Sequence, residues 1–366
     1  MVHMKIRSIL VPLLALALST TALADKLNSK LFLDLPEQFN SPASFAADKQ
    51  GNIYFTSPNF HNEALLKDGL IKKAEAPTIG KVTANNTLST WYRFKPEDML
   101  ASTGKIAPFG IAFGPDGNAY VADMQLWFGG KYQSRILRIN VKKGKAISTD
   151  VVATGFLFPN AVVWKGNDLF VSDTQLANVN GKQVSGVYKL NLSELDPNNP
   201  AQITPYEHSG KKDPHLFETF ISNGKLTFGA NGLAIDGEGS LYTAIMEEGS
   251  IMKTTMDANN KALVTRTFAT GMTATDGMSY DPTSNKLYVA DLFANAVFSV
   301  DMQGKVTLLA QNGDSNGAHG ELDAPGEVIV RGNEVLVTNF NAVFDSPEMR
   351  NKSVGRPFTL AVIKLP

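Results

Sequence analysis

One phrase recurs six times along this chain, and its recurrence constrains the fold more than any single residue does. Each copy has a short apolar run, a turn rich in Gly, Asp or Asn, and a second apolar run. A clear copy covers residues 108–123, with its turn at residues 115–118. Short runs of β-branched and aromatic residues between such turns are typical of β-hairpins. The copies begin at Pro42, Pro108, Asn160, Asn231, Asp276 and Pro325.

Two further apolar runs follow most copies, so that each repeat contains four predicted strands. After the copy at Asn160, the fourth run is residues 203–206. Four strands recurring every few tens of residues predict an all-β protein, a six-bladed β-propeller with four-stranded blades. The last copy lacks a fourth run, whereas residues 31–35 resemble one near the start of the chain. We therefore expect this N-terminal strand to close the ring. A β-sandwich is the alternative, but it gives no reason for six copies of one phrase.

Composition limits the domain count and the classes of partner. The chain has 366 residues and a formal net charge of −1, and no linker-like tract divides it. We expect one domain over residues 25–366. Near-zero net charge disfavours nucleic acid as a partner. The chain has no Cys, which excludes disulfides, a Cys nucleophile and Cys-ligated zinc.

The first residues have the pattern of a secretory signal peptide. Lys5 and Arg7 precede an apolar stretch at residues 9–18, and small residues at 22–24 form a cleavage site. The stretch is short for a membrane span. We expect residues 1–24 to be removed, leaving no membrane span, and the mature protein to be periplasmic or secreted.

The starts of the six inner strands should converge at one end of the central tunnel. Three consecutive copies place Asn160, Asn231 and Asp276 there, and such oxygen donors are the ligands that calcium prefers. We expect a shared metal or polar site with these three side chains as metal ligands. The six positions hold Ala43, Phe109, Asn160, Asn231, Asp276 and the pair Pro325-Gly326.

The chain resembles the senescence-marker-protein/gluconolactonase family of six-bladed propellers, and more distantly paraoxonase and diisopropyl fluorophosphatase. The resemblance covers roughly residues 30–366 and lies in the six-fold pattern and in segments 158–160, 228–233 and 275–278. It implies a catalytic divalent cation, usually calcium, held by Asn160, Asn231 and Asp276. It also implies hydrolysis of lactones, esters or phosphoesters, with Asp276 as ligand, as base for the attacking water, or as both.

The chain departs from that family at the first inner strand. Family enzymes carry a Glu there as a further metal ligand, whereas residues 41–44 read Ser-Pro-Ala-Ser. Glu327 is the nearest substitute, on another blade and one or two positions beyond the equivalent one. Because side chains alternate along a strand, an offset of one residue would aim Glu327 away from the tunnel and an offset of two would restore it.

Further residues at the same end are candidate substrate contacts. Long loops at residues 57–78, 124–133, 174–185 and 339–357 are expected to cover one side of the mouth. Asp residues at the ends of second strands either orient a polar substrate or cap the next turn. Two His residues lie in segments that lead to the mouth and are candidate bases. The substrate-binding candidates are Phe109, Asp123, Trp127, Asp173, His215, Asp291, His319 and Glu327.

These observations leave three hypotheses open. The first is an exported metal-dependent hydrolase that cleaves lactone or ester bonds of a small molecule at the tunnel mouth. The second is a non-catalytic propeller that binds a ligand or protein on that face. The third is a propeller like strictosidine synthase, which works without a metal.

Overall fold

The structure, a computed structural model, describes residues 27–366 and is nearly all β. One short α-helix, α1 (Asn62–Lys67), interrupts a loop. The strands in chain order are β1 (Ser29–Leu35), β2 (Phe45–Ala47), β3 (Ile53–Ser57), β4 (Thr78–Val82), β5 (Leu88–Arg93), β6 (Pro108–Phe113), β7 (Ala119–Asp123), β8 (Ser134–Lys142), β9 (Lys145–Phe156), β10 (Pro159–Lys165), β11 (Asp168–Val179), β12 (Lys182–Asn191), β13 (Ala201–Gln202), β14 (Leu216–Ser222), β15 (Ala230–Ile235), β16 (Leu241–Ile245), β17 (Ser250–Met256), β18 (Ala262–Ala269), β19 (Thr275–Asp281), β20 (Lys286–Asp291), β21 (Ala296–Asp301), β22 (Val306–Gln311), β23 (Pro325–Arg331), β24 (Glu334–Asn339) and β25 (Phe358–Lys364). Single 3₁₀ turns lie at Glu37–Phe39, Pro96–Asp98, Leu126–Phe128, Leu192–Glu194 and Met246–Glu248.

These strands form six antiparallel sheets, which are the blades of a six-bladed β-propeller, as predicted. Blade one contains β2 to β5, and blade two contains β6 to β9 with β13 added in parallel to its outer edge. Blade three contains β10, β11, β12 and β14. Blade four contains β15 to β18, and blade five contains β19 to β22. Blade six contains β23, β24, β25 and β1.

Strand β1 closes the ring, and this prediction is also confirmed. It pairs with β25 in an antiparallel register that runs from Ser29 opposite Ile363 to Leu35 opposite Phe358. This pairing gives blade six its fourth strand, so that β25 is not left as an unpaired sheet edge. The predicted signal peptide, residues 1–24, lies outside the described residues. Within residues 27–366, no helix is long and apolar enough to cross a membrane.

Blade three departs from the sequence prediction in two places. Residues 203–206, predicted as its fourth strand, are irregular, and β14 takes that position after a connection that includes β13. Phe220 in β14 is buried and Phe217 packs edge-on against Phe170, so β14 supplies the apolar face that the blade needs. Residues 174–185, predicted as a loop, instead extend β11 and β12 into a long hairpin.

The recurring phrase has a physical cause in a repeated pair of Asp and Tyr. In blade two the phenol of Tyr120 donates a hydrogen bond to Asp116 in the preceding turn, at 2.9 Å. Tyr242 donates to Asp236 in blade four at the same distance. A buried phenol needs a hydrogen-bond partner, and the turn carboxylate provides one. The pair therefore fixes the hairpin turn to the buried second strand.

Candidate active site

The inner strands lose register with their neighbours at the same point near the tunnel mouth. In blade two the pairing passes from Pro108 opposite Asp123 to Ile111 opposite Val121, so two residues face one. Blades three, four and five show the same irregularity. This is a β-bulge, and a bulge redirects side chains where regular pairing would alternate them. The first bulge positions hold Phe109, Asn160, Asn231 and Asp276.

Blade six carries the same feature with different residues. Its pairing passes from Pro325 opposite Asn339 to Glu327 opposite Thr338. Aligned on the pairing of Val328 with Val337, Gly326 takes the first bulge position and Glu327 the second. Glu327 is therefore offset by one residue from the three predicted metal ligands.

Despite that offset, Glu327 lines the same pocket at the mouth as Asn160, Asn231 and Asp276, and this pocket holds about 570 Å³ of space when open solvent is included. Of the two alternatives, the offset is one residue, and it still leaves the carboxylate at the pocket because the bulge interrupts the alternation. Asp276 and Gly277, the two consecutive bulge residues of blade five, both line this pocket as well. The pocket thus brings Asn160, Asn231, Asp276 and Glu327 together from four consecutive blades.

The carboxylate of Glu327 has few partners. Ser44 of blade one donates from its Oγ to Oε2 at 3.4 Å, and the backbone N–H of Val328 donates to Oε1 at 3.0 Å. The carboxylate also lies against the backbone of Gly277 in blade five, where a Cβ atom would stand 2.4 Å from Oε1. Glu327 therefore reaches over the neighbouring blade, next to Asp276.

Both carboxyl groups hold their protons more tightly than usual. Burial raises the pKa of Asp276 to about 8, a hydrogen bond from Asn231 opposes the rise, and the charge of Asp291 adds to it. Burial also raises the pKa of Glu327 well above its ordinary value, and the nearby charge of Asp276 contributes to the increase. Both side chains keep part of their surface open to the pocket.

The donor set fits a hard divalent cation. Lys, Arg and His are absent from the described residues that line the pocket, so nothing there neutralises its two carboxyl groups. Calcium binds carboxylate and carboxamide oxygens. Among the described residues no three or more His, Cys, Asp or Glu side chains form a metal-binding group. A cation here would therefore depend on Asn160 and Asn231 as well as on Asp276 and Glu327.

The walls of the pocket are aromatic. Trp127 lies in the 3₁₀ turn after β7 and its ring centroid is 5.3 Å from that of Phe158. Phe344, from the loop at residues 340–357, packs against Phe228 with centroids 5.5 Å apart. We call this set the aromatic wall, and it consists of Phe109, Trp127, Phe158, Phe228, Phe340 and Phe344.

Three predicted substrate contacts are buried outside the pocket lining, where they accept hydrogen bonds from backbone N–H groups. Asp123 accepts from the N–H of Ala107 and forms an ion pair with Arg135 at 2.7 Å. Asp173 accepts from Leu157 and Phe158, and Asp291 accepts from Thr273, Ala274 and Ala294. None of the three lines the pocket. Each of the three connects the end of a second strand to the segment that enters the inner strand. They therefore cap the turn, which is the second of the two roles considered for them in the sequence.

The two predicted His bases also lie elsewhere. The Nδ1 atom of His215 is 2.8 Å from Asp213 and its Nε2 atom is 3.4 Å from Glu194, in the insertion of blade three. His319 is exposed in the segment before β23. Neither residue is among those that line the pocket. Of the predicted substrate contacts, the pocket includes Phe109, Trp127 and Glu327.

Most of the aromatic wall was missed from the sequence. Phe340 and Phe344 lie in an irregular loop whose path carries no periodic signal. Phe158 and Phe228 could have been found, because each shortly precedes a predicted ligand, in the segments 158–160 and 228–231.

No protein-family model matches the sequence, and no curated protein shows significant sequence similarity to it. Solved structures do match. A luciferin-regenerating enzyme superposes with a TM-score of 0.56 at 13% identity, over 93% of this chain and 97% of the other. A gluconolactonase from Xanthomonas campestris gives 0.53 at 12% identity, over 94% and 91%. The fold is that of the gluconolactonase-like propellers.

The same fold also occurs among oxidoreductases. The PQQ-bound aldose sugar dehydrogenase from Streptomyces coelicolor superposes with a TM-score of 0.55 at 13% identity, over 94% of this chain and 99% of the other. At such identities the likeness establishes the fold, and both hydrolase and oxidoreductase propellers share it. A shared fold does not fix the function, which depends on the residues of the site.

Proposed function

We propose that this gluconolactonase-like propeller is an exported hydrolase that cleaves lactone or ester bonds at the tunnel mouth and depends on a divalent cation, most simply calcium. One observation carries the proposal. Four oxygen-donor side chains from four consecutive blades meet at the floor of one pocket, and two of them are carboxyl groups without a basic partner there.

Asn160, Asn231, Asp276 and Glu327 are the side chains that would hold the cation. Glu327 takes over the role that the resemblance assigns to a first-blade Glu, because its carboxylate contacts Ser44 of blade one. When bound, a divalent cation polarises a substrate carbonyl and stabilises the oxyanion formed on attack. Asn231 lines the pocket together with Asp276, and its side-chain N–H donates to the Sδ atom of Met246 at 3.3 Å.

Asp276 is the proposed proton acceptor for the attacking water. Asp276 lines the pocket next to Glu327, and a general base has to lie within hydrogen-bond reach of the water that it activates. The aromatic wall limits the access of bulk water from above, which strengthens electrostatic interactions at the floor. Phe109 and Trp127 belong to this wall and would contact the substrate.

The exported location rests on the signal-peptide pattern in residues 1–24. Expression of the full chain with a C-terminal tag would test it, followed by fractionation and mass determination of the mature protein. A mature mass that begins near Asp25 in the periplasmic or secreted fraction supports export. An unprocessed chain in the cytoplasmic fraction contradicts it.

Calorimetric titration of the purified protein with calcium tests the metal site. We expect binding heat for the native chain and its loss in Asp276→Ala and Asn231→Ala. Asp314→Ala is a matched control, because Asp314 is exposed in the segment before β23. Hydrolysis of a panel of lactones, followed by proton release, should stop in chelator and return with calcium. No calcium binding, together with hydrolysis or stability that chelator leaves unchanged, would contradict the proposal and favour a metal-free or non-catalytic propeller.

A further inference from the structure

The polar side chains of the pocket and most of its aromatic rings come from different segments of the blades. Polar side chains at the floor come from Ser44, Asn160, Asn231, Asp276 and Glu327. Phe109 lies at the same level as Asn160, Asn231 and Asp276, and the rest of the aromatic wall comes from loops and from the segments that enter the inner strands. The wall carries no hydroxyl, amide or charged side chain, and its one polar group is the indole N–H of Trp127. A ligand in this pocket therefore meets most of its hydrogen-bonding side chains at the starts of the inner strands.

This separation disfavours a sugar lactone as the substrate. A sugar ring stacks on aromatic faces, but its hydroxyl groups project from the edges and need partners when they leave water. A buried hydroxyl without a partner costs about 1–3 kcal/mol. Apart from the indole N–H of Trp127, the aromatic wall provides no side-chain hydrogen-bond partner for the hydroxyl groups of a sugar.

The rings of the aromatic wall also pack against one another. The ring of Phe344 has neighbours in Phe228, Phe293 and Trp127, with centroids 5.5, 5.8 and 6.4 Å away. Trp127 nevertheless keeps 42% of its surface exposed. A large, fixed and exposed aromatic group at the rim of a pocket is typical of a surface that a ligand covers.

We propose that the substrate is a lactone or ester with an apolar alkyl or aryl substituent. The substituent lies along Trp127, Phe158 and Phe344, while the carbonyl end reaches Asp276 and Glu327. Water adds to the carbonyl carbon, the acyl C–O bond breaks, and the proton taken from water passes to the alcohol oxygen. A lactone thereby gives a hydroxy acid. The reaction step rests on the proposed function, whereas the apolar ligand class rests on the aromatic wall.

A chain-length series tests this inference. We would measure kcat/KM for γ-lactones with linear alkyl substituents of increasing length, and for glucono-δ-lactone, with the full protein in calcium. Each added methylene that is buried should raise kcat/KM roughly fourfold until the wall is covered. Trp127→Ala and Phe344→Ala should flatten this dependence. Trp91→Ala is the matched control, because Trp91 packs on Tyr54 and Phe113 outside this pocket and should leave the dependence intact.

A binding measurement separates this inference from the proposed reaction. Alkyl γ-lactams of the same lengths resist hydrolysis, and their binding should change the fluorescence of Trp127 with an affinity that increases with chain length. Faster turnover of glucono-δ-lactone than of any alkyl lactone overturns the apolar substrate class but is consistent with the proposed hydrolase activity. Lactam binding that is absent or independent of chain length also overturns it. If lactams bind with the expected dependence but no lactone is hydrolysed, the proposed reaction fails and the apolar ligand class is supported.

Discussion

The carboxylate of Glu327 lies where the side chain of residue 277 would be, and only a glycine at that position leaves the space. A Cβ atom on Gly277 would stand 2.4 Å from Glu327 Oε1. The two residues belong to neighbouring blades, and Gly277 directly follows Asp276. The missing side chain on blade five thus allows a carboxyl group of blade six to reach the floor of the pocket.

Gly277→Ala should displace the Glu327 carboxylate and weaken calcium binding roughly 10–100-fold, because side chains that hold metal ligands in place contribute on that scale. The blocked atoms are the far end of a flexible side chain, so the fold should survive. Calorimetry measures the affinity, and thermal unfolding in chelator checks the fold. Gly313→Ala is the control, because a Cβ at Gly313 meets nothing within 4 Å. An unchanged affinity in Gly277→Ala would remove Glu327 from the proposed site.

The closing strand offers a second test, since two Leu residues on β1 differ in burial. Leu35 is 7% exposed and belongs to a core cluster with Phe358, whereas Leu31 is 37% exposed. Leu35→Ala should lower the free energy of unfolding by about 2–5 kcal/mol, and Leu31→Ala should have a much smaller effect. Urea unfolding measures both. Equal effects would mean that β1 contributes to stability without its buried side chain.

A buried ion pair in blade two provides the third prediction. Arg135 and Asp123 are 2.7 Å apart with side chains 7% and 0% exposed, and Arg135 also donates to the carbonyl of Asp98. Arg135→Ala leaves Asp123 buried without its cation and should cost about 3–5 kcal/mol. Arg138→Ala breaks a partly exposed pair with Asp150 and should cost less than about 1 kcal/mol. Chemical unfolding of the two variants in parallel would reveal any reversal of this order.

Stability should depend on pH through Asp323. Its carboxylate accepts hydrogen bonds from Asn341 and Asn351 of the loop at residues 340–357. Burial is the main reason that its pKa rises from 3.8 to about 7. A raised carboxyl pKa means that the folded state holds a proton that the unfolded state has lost. The stabilisation is therefore complete below pH 4 and is lost as the pH rises through 7.

Asp323→Asn should remove this part of the pH dependence. Between pH 5 and pH 8.5, the free energy of unfolding of the native chain should fall relative to that of the variant, on the order of a few kcal/mol. Thermal or urea unfolding across this range measures the difference. The control is Asp345→Asn, an exposed position on the same loop, which should follow the native chain. If the difference in free energy of unfolding between Asp323→Asn and the native chain stays constant with pH, other groups cause the pH dependence.

The sequence predicted the ring well because the repeat is a local signal. Each Asp-Tyr pair and each turn lies within one hairpin, as with Asp116 and Tyr120, so a short window contains its whole cause. Closure by β1 followed from counting strands. The fourth strand of blade three was predicted at the wrong place, because an insertion separates β14 from the hairpin of β11 and β12. No local sequence pattern indicates which of the two apolar runs pairs with β12.

The site was harder to predict, because it depends on register and on loop paths. The starts of the inner strands were correctly aligned, so Asn160, Asn231 and Asp276 were expected to be near one another, and they line one pocket. The direction of Glu327 stayed open in the sequence analysis, because a bulge is invisible in the period-two pattern of a strand. The aromatic wall escaped notice because Phe340 and Phe344 are placed by tertiary packing rather than by repeat position.

Closure by β1 also has a consequence for the order of assembly. The first strand of the described chain pairs with the last, so β1 has to wait without a partner until residues 358–364 have been synthesised. Blade six is therefore the only blade of the described ring whose strands come from both ends of the chain. A chain cut short before β25 keeps an unpaired sheet edge, and such edges invite aggregation. The last step of folding thus distinguishes finished chains from incomplete ones.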